Sequence, residues 1–237
     1  MTTQENIRRY GEMMGITVDM QNDFALPSGS LSVKDAEETI DAVNDLNQFI
    51  RDNDGYVILT QDWHRPDNQK HFETWPPHCL QERSGAAIHQ DVELCSADNI
   101  AKKGTSLEDD GYSGWEAEIR SGSLLERLKH IEPSNLTVGR AIGIVANQLA
   151  EREAKLALII DGLATDYCVM ATCLDALKET SRQTTDVYIV TDGVKAVNIK
   201  PDDGARALAK MIAAGAQPVT SEQLLDGSIV IDREMIE

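Results

Sequence analysis

Long apolar runs are missing from this sequence of 237 residues: none approaches the roughly 18 to 20 consecutive apolar positions that a bilayer-spanning helix needs. The polar start, MTTQENIRRYGEMM, lacks the apolar core of a secretory signal, so a cytoplasmic location is expected. Basic residues are scarce, 22 Lys and Arg against 40 Asp and Glu, which gives a net charge of −18 and a sequence pI near 4.6. Such a surface repels phosphate backbones and anionic headgroups, so neither nucleic acid nor a membrane surface is an expected partner. Cysteine is sparse too. Cys79, Cys95, Cys168 and Cys173 show no CxxC spacing, which argues against a zinc finger and against a disulfide scaffold.

What is present suits one globular unit. With 41% hydrophobic and 26% charged residues, the chain can fill a single core, and one domain over 1–237 is expected. Short apolar runs, at 16–19, 56–60, 156–160 and 187–190, alternate with helical patterns and read as buried strands. Between the first two, Ile40, Val43, Leu46, Phe49 and Ile50 recur at spacings of three and four, which predicts an amphipathic helix within 35–54. Further helices are expected over 167–180, over 201–214 with Gly215 as its stop, and over 123–130, ended by Pro133. The alternation predicts an α/β fold, a three-layer α/β/α sandwich with a mostly parallel central sheet. Sites in such sheets gather at the carboxyl ends of strands. Asp19, then Asp62 with His64, and then Gly162 to Cys168 each follow a predicted strand, so they are expected to meet at one edge.

Histidine is rationed, yet three of the five fall in TQDWHRPDNQKHFETWPPHC, Thr60 to Cys79. Asp62 and His64, two apart on an extended segment, face one side, and His71 and His78 return on the loop. One carboxylate and three imidazoles suit zinc, iron, manganese or nickel, and the lack of a cysteine ligand argues against a purely structural zinc site. A lone histidine is more often a local hydrogen-bonding group. Four candidate ligands between Asp62 and His78 favour a metal.

The segment GLATDYC, Gly162 to Cys168, passes from a buried strand through small residues into a helix and places Cys168 near the helix N-terminus. Unpaired amides and the helix dipole there are expected to lower the thiol pKa and to offer a place for an oxyanion. Cys173 lies deeper in the helix and reads as packing, and Cys79 and Cys95 are left as structural. A thiolate nucleophile needs a proton-handling partner and often a cation. Asp19 and Lys103 are the candidates, although a strand-end Asp is commonly a cap and a Lys102-Lys103 pair is commonly just solvated.

Taken in order, VDMQNDF, GSLSV, DWH, HF, WPPHC, KKG, YSGW and GLATDYCV resemble the nicotinamidases of the isochorismatase-like cysteine hydrolases, over about residues 15 to 220. The resemblance implies Cys168 as nucleophile, Asp19 as general base and acid, and Lys103 as the cation beside both. It implies a divalent metal, zinc first with iron and manganese as alternatives, on Asp62, His64, His71 and His78. It assigns Phe24 and Trp75 to a sandwich around a pyridine ring, Tyr112 to the pocket wall, and the amides of Ala164 and Cys168 to an oxyanion hole behind a cis Leu163–Ala164 peptide. Nicotinamide is the implied small-molecule substrate, cleaved to nicotinate and ammonia through a thioester, and self-association is expected.

Two departures from the family pattern stand out. Ala25-Leu26-Pro27-Ser28-Gly29 replaces a Cys or Glu with paired glycines. An insertion around 120–140, SLLERLKHIEPSNLTVGR at its centre, suggests an extra helical element that lines the entrance or builds a subunit interface. The competing readings are a relative acting on another amide or on a vinyl ether, against which the metal quartet weighs, and a non-catalytic metal-binding protein, against which the presence of Cys168, Asp19 and Lys103 weighs.

Overall fold

A computed structural model describes residues 8–131 and 135–232. Its strands are β1 Arg8–Tyr10, β2 Glu12–Val18, β3 Tyr56–Asp62, β4 Asn99–Lys103, β5 Glu118–Ser121, β6 Leu156–Leu163, β7 Thr185–Lys195, β8 Gln217–Val219 and β9 Ile229–Ile231. Seven of them form one sheet in the order β5-β4-β3-β2-β6-β7-β8. All neighbours are parallel except β4 and β5 at one edge. β1 and β9 pair separately as a short parallel ribbon. The order runs outward in both directions from β2, so the topological switch lies between β2 and β6, where the loops diverge and leave a crevice.

Helices cover both faces because β2, β3 and β6 are apolar on both sides. On one face Ile16, Val18, Ile58, Leu158 and Ile160 pack with the helices Val138–Ala150 and Cys168–Glu179. On the other, Met13, Val57, Leu59, Ala157 and Ile159 pack with Leu46 and Ile50 of the helix Ile40–Asp52. The predicted three-layer sandwich is what forms. The helix expected over 35–54 begins with a 3-10 turn, Ala36–Thr39, before the α-helix proper. The one expected over 201–214 runs Asp203–Ala214 and stops at Gly215, whose φ of 122 only glycine readily adopts.

The helix expected over 123–130 runs Ser123–Leu128, and Pro133 lies outside the described residues. Its Leu124 and Leu128 are fully buried, and Arg127 reaches Glu12 at 2.7 Å, at the amino end of β2. This end is opposite the carboxyl edge. Among the described residues of 120–140, none lines the cavity described below.

One polar residue interrupts the apolar β6. Asp161 is 2% exposed, faces Thr17 across the sheet, and leaves its Oδ1 without a hydrogen-bond partner. Burial pushes its carboxyl up to about 8, with Thr17 opposing weakly. The folded state therefore holds a proton that the unfolded chain releases near its ordinary pKa of 3.8. That stabilisation is complete below the unfolded value and is lost as pH rises toward 8, with a slope of at most about 1.4 kcal/mol per pH unit. Urea midpoints at pH 5 and pH 8 should therefore differ less for Asp161→Asn than for the wild-type protein. An equal difference in the two proteins would mean that Asp161 does not titrate in this range.

Candidate active site

Four strand ends deliver the chemistry. β2 ends at Val18, one residue before Asp19, and β3 ends at Asp62. β4 ends at Lys103, which pairs in register with Asp62. β6 ends at Leu163, beside Ala164 and the turn into Cys168, the first residue of its helix. Gly162 makes the turn possible: its φ is 99, and a Cβ there would lie 2.1 Å from the Val18 carbonyl oxygen.

Lys103 is the hub, only 2% exposed. Its Nζ lies 2.7 Å from Asp19 Oδ2 and 3.6 Å from Cys168 Sγ, and it also contacts Asp62 Oδ1 and the Gly111 carbonyl. Burial opposes its charge, but Asp19 and Asp62 hold the ammonium well above the ordinary lysine range. Oxygens of Asp19 and Asp62 and the Cys168 sulfur all lie within 4.8 Å of one another. Thr60, two residues before Asp62 and on the same side of β3, donates its hydroxyl to Asp19 Oδ1 at 2.7 Å.

One ammonium cannot compensate two buried carboxylates equally. Burial raises both, and Lys103 lowers both, but Asp62 also faces the imidazoles of His64 and His78, at 3.5 and 3.7 Å from its Oδ2. Asp62 therefore falls well below the usual carboxylate range, while Asp19 is pushed up to about 6. A carboxylate poised near neutrality suits proton transfer, and a firmly ionised one suits a cation. The thiol departs from expectation. Cys168 does begin the helix, but burial, with Asp19 and Asp62 nearby, pushes its pKa up despite Lys103, so the helix terminus alone does not supply a thiolate.

The three histidines converge as their spacing suggests. One ring nitrogen from each of His64, His71 and His78 lies within 4.8 Å of the others. His78 Nδ1 bonds the Pro76 carbonyl at 2.8 Å, which leaves its Nε2 for the cluster. Both ring nitrogens of His64 and Nε2 of His71 are buried with no hydrogen-bond partner, an arrangement that is costly without a cation and natural with one. Burial, followed by the neighbouring imidazoles, pushes His71 down to about 4, which keeps it in the neutral form that binds metals. The donor set fits a divalent ion of the zinc type.

Phe24, Trp75 and Tyr112 line one cavity with Asp62, His71, His78, Ala164 and Cys168, while Asp19, Lys103 and His64 are not among its lining residues. The Leu163–Ala164 peptide is cis. Trp75 Nε1 donates to the Tyr112 hydroxyl at 2.8 Å. Leu31, Val33, Asp110, Tyr167 and Val197 also line the cavity and were not anticipated. Tyr167 was legible as the neighbour of Cys168, but the others come from loops whose approach no local pattern records. Cys173 and Cys79 are buried with raised thiol pKa values, about 12 for Cys173, as inert packing cysteines should be.

A buried thiol, carboxylate and ammonium at the switch point of a parallel sheet, facing an aromatic cavity, are the parts of a hydrolytic enzyme of the three-layer α/β class. The isochorismatase domain model matches residues 14–107 and 144–223, and the interval between them contains the extra helix. The nicotinamidase of Escherichia coli is 32% identical over 222 residues, covering 85% of this chain and 91% of its own length. The pyrazinamidase of Pyrococcus horikoshii, solved in complex with zinc, is 32% identical with a TM-score of 0.66, covering 88% of this chain and 99% of that one. PnC1 from L. infantum, solved in complex with nicotinate, is 27% identical with a TM-score of 0.66, covering 94% of this chain and 96% of that one. The chain belongs to the isochorismatase family and is an amidohydrolase that groups with the nicotinamidases.

Removing the hub should be costly. Lys103→Met leaves two buried carboxylates facing each other, and breaking a buried pair in this way costs about 3–5 kcal/mol. Urea unfolding at pH 7 should show a loss of that size. Asp19→Asn in the same background should restore part of it by removing one charge, whereas a strictly additive double variant would show that the two groups are not coupled.

Proposed function

We propose that the protein hydrolyses nicotinamide to nicotinate and ammonia through a thioester on Cys168. The observation that carries this reading is the juxtaposition itself. Cys168, with Asp19 and Lys103 beside it, lines one cavity with His71 and His78, next to a three-imidazole cluster in which both ring nitrogens of His64 and Nε2 of His71 are buried without a hydrogen-bond partner. Zinc on one similar protein and nicotinate on another support the ligand classes.

In this reading Asp19 accepts the Cys168 proton as sulfur attacks the carboxamide carbon, and Lys103 balances the negative charge that both groups pass between them. The amides of Ala164 and Cys168 receive the oxyanion. Asp19 then returns the proton to the departing amine, which leaves as ammonia, and a thioester remains. Water gives a proton to Asp19 and attacks the thioester carbon, and collapse releases nicotinate and the sulfur, which is reprotonated. Phe24 and Trp75 hold the ring between them, and Tyr112 fixes the Trp75 indole through its hydroxyl. Asp62, His64, His71 and His78 would hold a divalent cation that, when bound, anchors and polarises the pyridine ring.

Ammonia release from nicotinamide tests the assignment. The purified protein should release it, Cys168→Ala should fall to background, and a sample stripped by chelator should lose activity that returns with zinc. Turnover retained in Cys168→Ala would remove the thiol from the reaction. A metal-loaded protein that leaves nicotinamide intact would make the substrate wrong while leaving the site in place.

A further inference from the structure

The turn that follows Asp19 has a part that the reaction above does not use. β2 and β3 pair only from Met14 to Thr17 against Tyr56 to Leu59, and beyond Val18 the chain swings away, with Asp19 at a φ of 48. Asp62 therefore lacks a backbone neighbour from β2, although β4 still pairs with it on the other side. Gln21, fully buried, fills that gap with its side chain. Its Oε1 accepts from Asp62 N at 2.8 Å, and its Nε2 donates to the carbonyls of Asp62 and Ala86, both at 2.8 Å. A single side-chain amide thus takes the place of a strand on both backbone groups of a candidate ligand.

Two residues on, Asp23 does the same for the returning loop. Its Oδ2 accepts from Cys79 N at 2.7 Å, immediately after His78, and its Oδ1 accepts from Ser30 N at 3.3 Å. The carboxylate is seated against Gly85, where a Cβ would lie 2.1 Å from Oδ2. Cys79 is in turn paired with the ligand strand, its carbonyl accepting from His64 N at 3.0 Å. Phe24, the next residue, packs on the His78 ring at 5.4 Å between centroids.

We propose that Gln21 and Asp23 are positioning residues, which hold the backbones of Asp62 and of the His78–Cys79 segment at the separation that a divalent cation requires. The proposal rests on the metal reading of the site given above. Groups that orient metal ligands in this way typically alter metal affinity by about 10- to 100-fold when lost, whereas residues that merely support the fold lower stability and leave a refolded site intact.

Zinc is the probe, and its dissociation constant is read by competition with a chromophoric chelator on metal-free protein. Far-UV circular dichroism confirms the fold of each variant. Gln21→Met keeps the size and removes all three hydrogen bonds, and Asp23→Asn keeps the size and removes the charge. Asp98→Asn is the control: it weakens a buried contact to Arg51 at the amino end of β4, far from the ligands. We expect zinc binding to weaken about 10- to 100-fold in Gln21→Met and at least several-fold in Asp23→Asn, and to stay within twofold in Asp98→Asn. Asp23→Asn carries the test should Gln21→Met not fold. Dissociation constants within threefold of wild type in the folded variants, or an equal loss in the control, would overturn the proposal. A wild-type protein that takes up no zinc would overturn the metal reading itself and this inference with it.

Discussion

One buried ammonium shared by two carboxylates organises this molecule. Lys103 lies between Asp19 and Asp62 with almost no access to solvent, and it is also the nearest cation to the Cys168 sulfur. A group in that position cannot satisfy both anions alike, and their other neighbours decide the outcome. Asp62 has imidazoles beside it and stays firmly ionised, while Asp19 has a threonine hydroxyl and is left within reach of a proton at neutral pH. The same residue therefore separates the site into a half whose carboxylate is poised near neutrality and a half whose carboxylate suits a cation.

The sheet is what allows such a costly arrangement to exist. Burying three charges is unfavourable unless each is paired and held rigidly, and rigidity here comes from adjacent parallel strands whose ends are in register. β4 brings Lys103 directly opposite Asp62, and β2 and β6 pair over seven residue pairs, the last of them Val18 with Gly162, before Asp19 leaves the ladder. The apolar layers on both faces exclude the water that would otherwise screen the pair. Chemistry at the strand ends thus rests on packing in the strand middles.

Much of this was legible before any coordinates. Continuous apolar runs marked β2, β3, β6 and β7, the three-and-four spacing marked the helix Ile40–Asp52, and the histidine-bearing loop marked a set of candidate metal ligands, three of which the fold brings together. What escaped has physical reasons. β4 reads Asn-Ile-Ala-Lys-Lys and alternates between buried and half-buried positions, so no apolar run announces it, and although Lys103 was a candidate cation, its burial was not legible. β5 and β8 are short edge strands, with four and three residues, and they are ordered by pairing more than by composition. The raised thiol pKa of Cys168 depends on burial and on carboxylates from distant parts of the chain, which a local argument from the helix terminus does not contain. Gln21 lay inside a quoted motif, but its work is done across a gap between strands that only the fold creates.

In the proposed reaction Cys168, served by Asp19 and Lys103, carries the acyl group during turnover. Acid-quenched samples taken through the first turnover with nicotinamide, digested and mapped by mass spectrometry, test it directly. A nicotinoyl group is expected on the peptide containing Cys168, absent from enzyme held without substrate. Ammonia release accompanied by an unlabelled Cys168 throughout, or by a label on another residue, would contradict it.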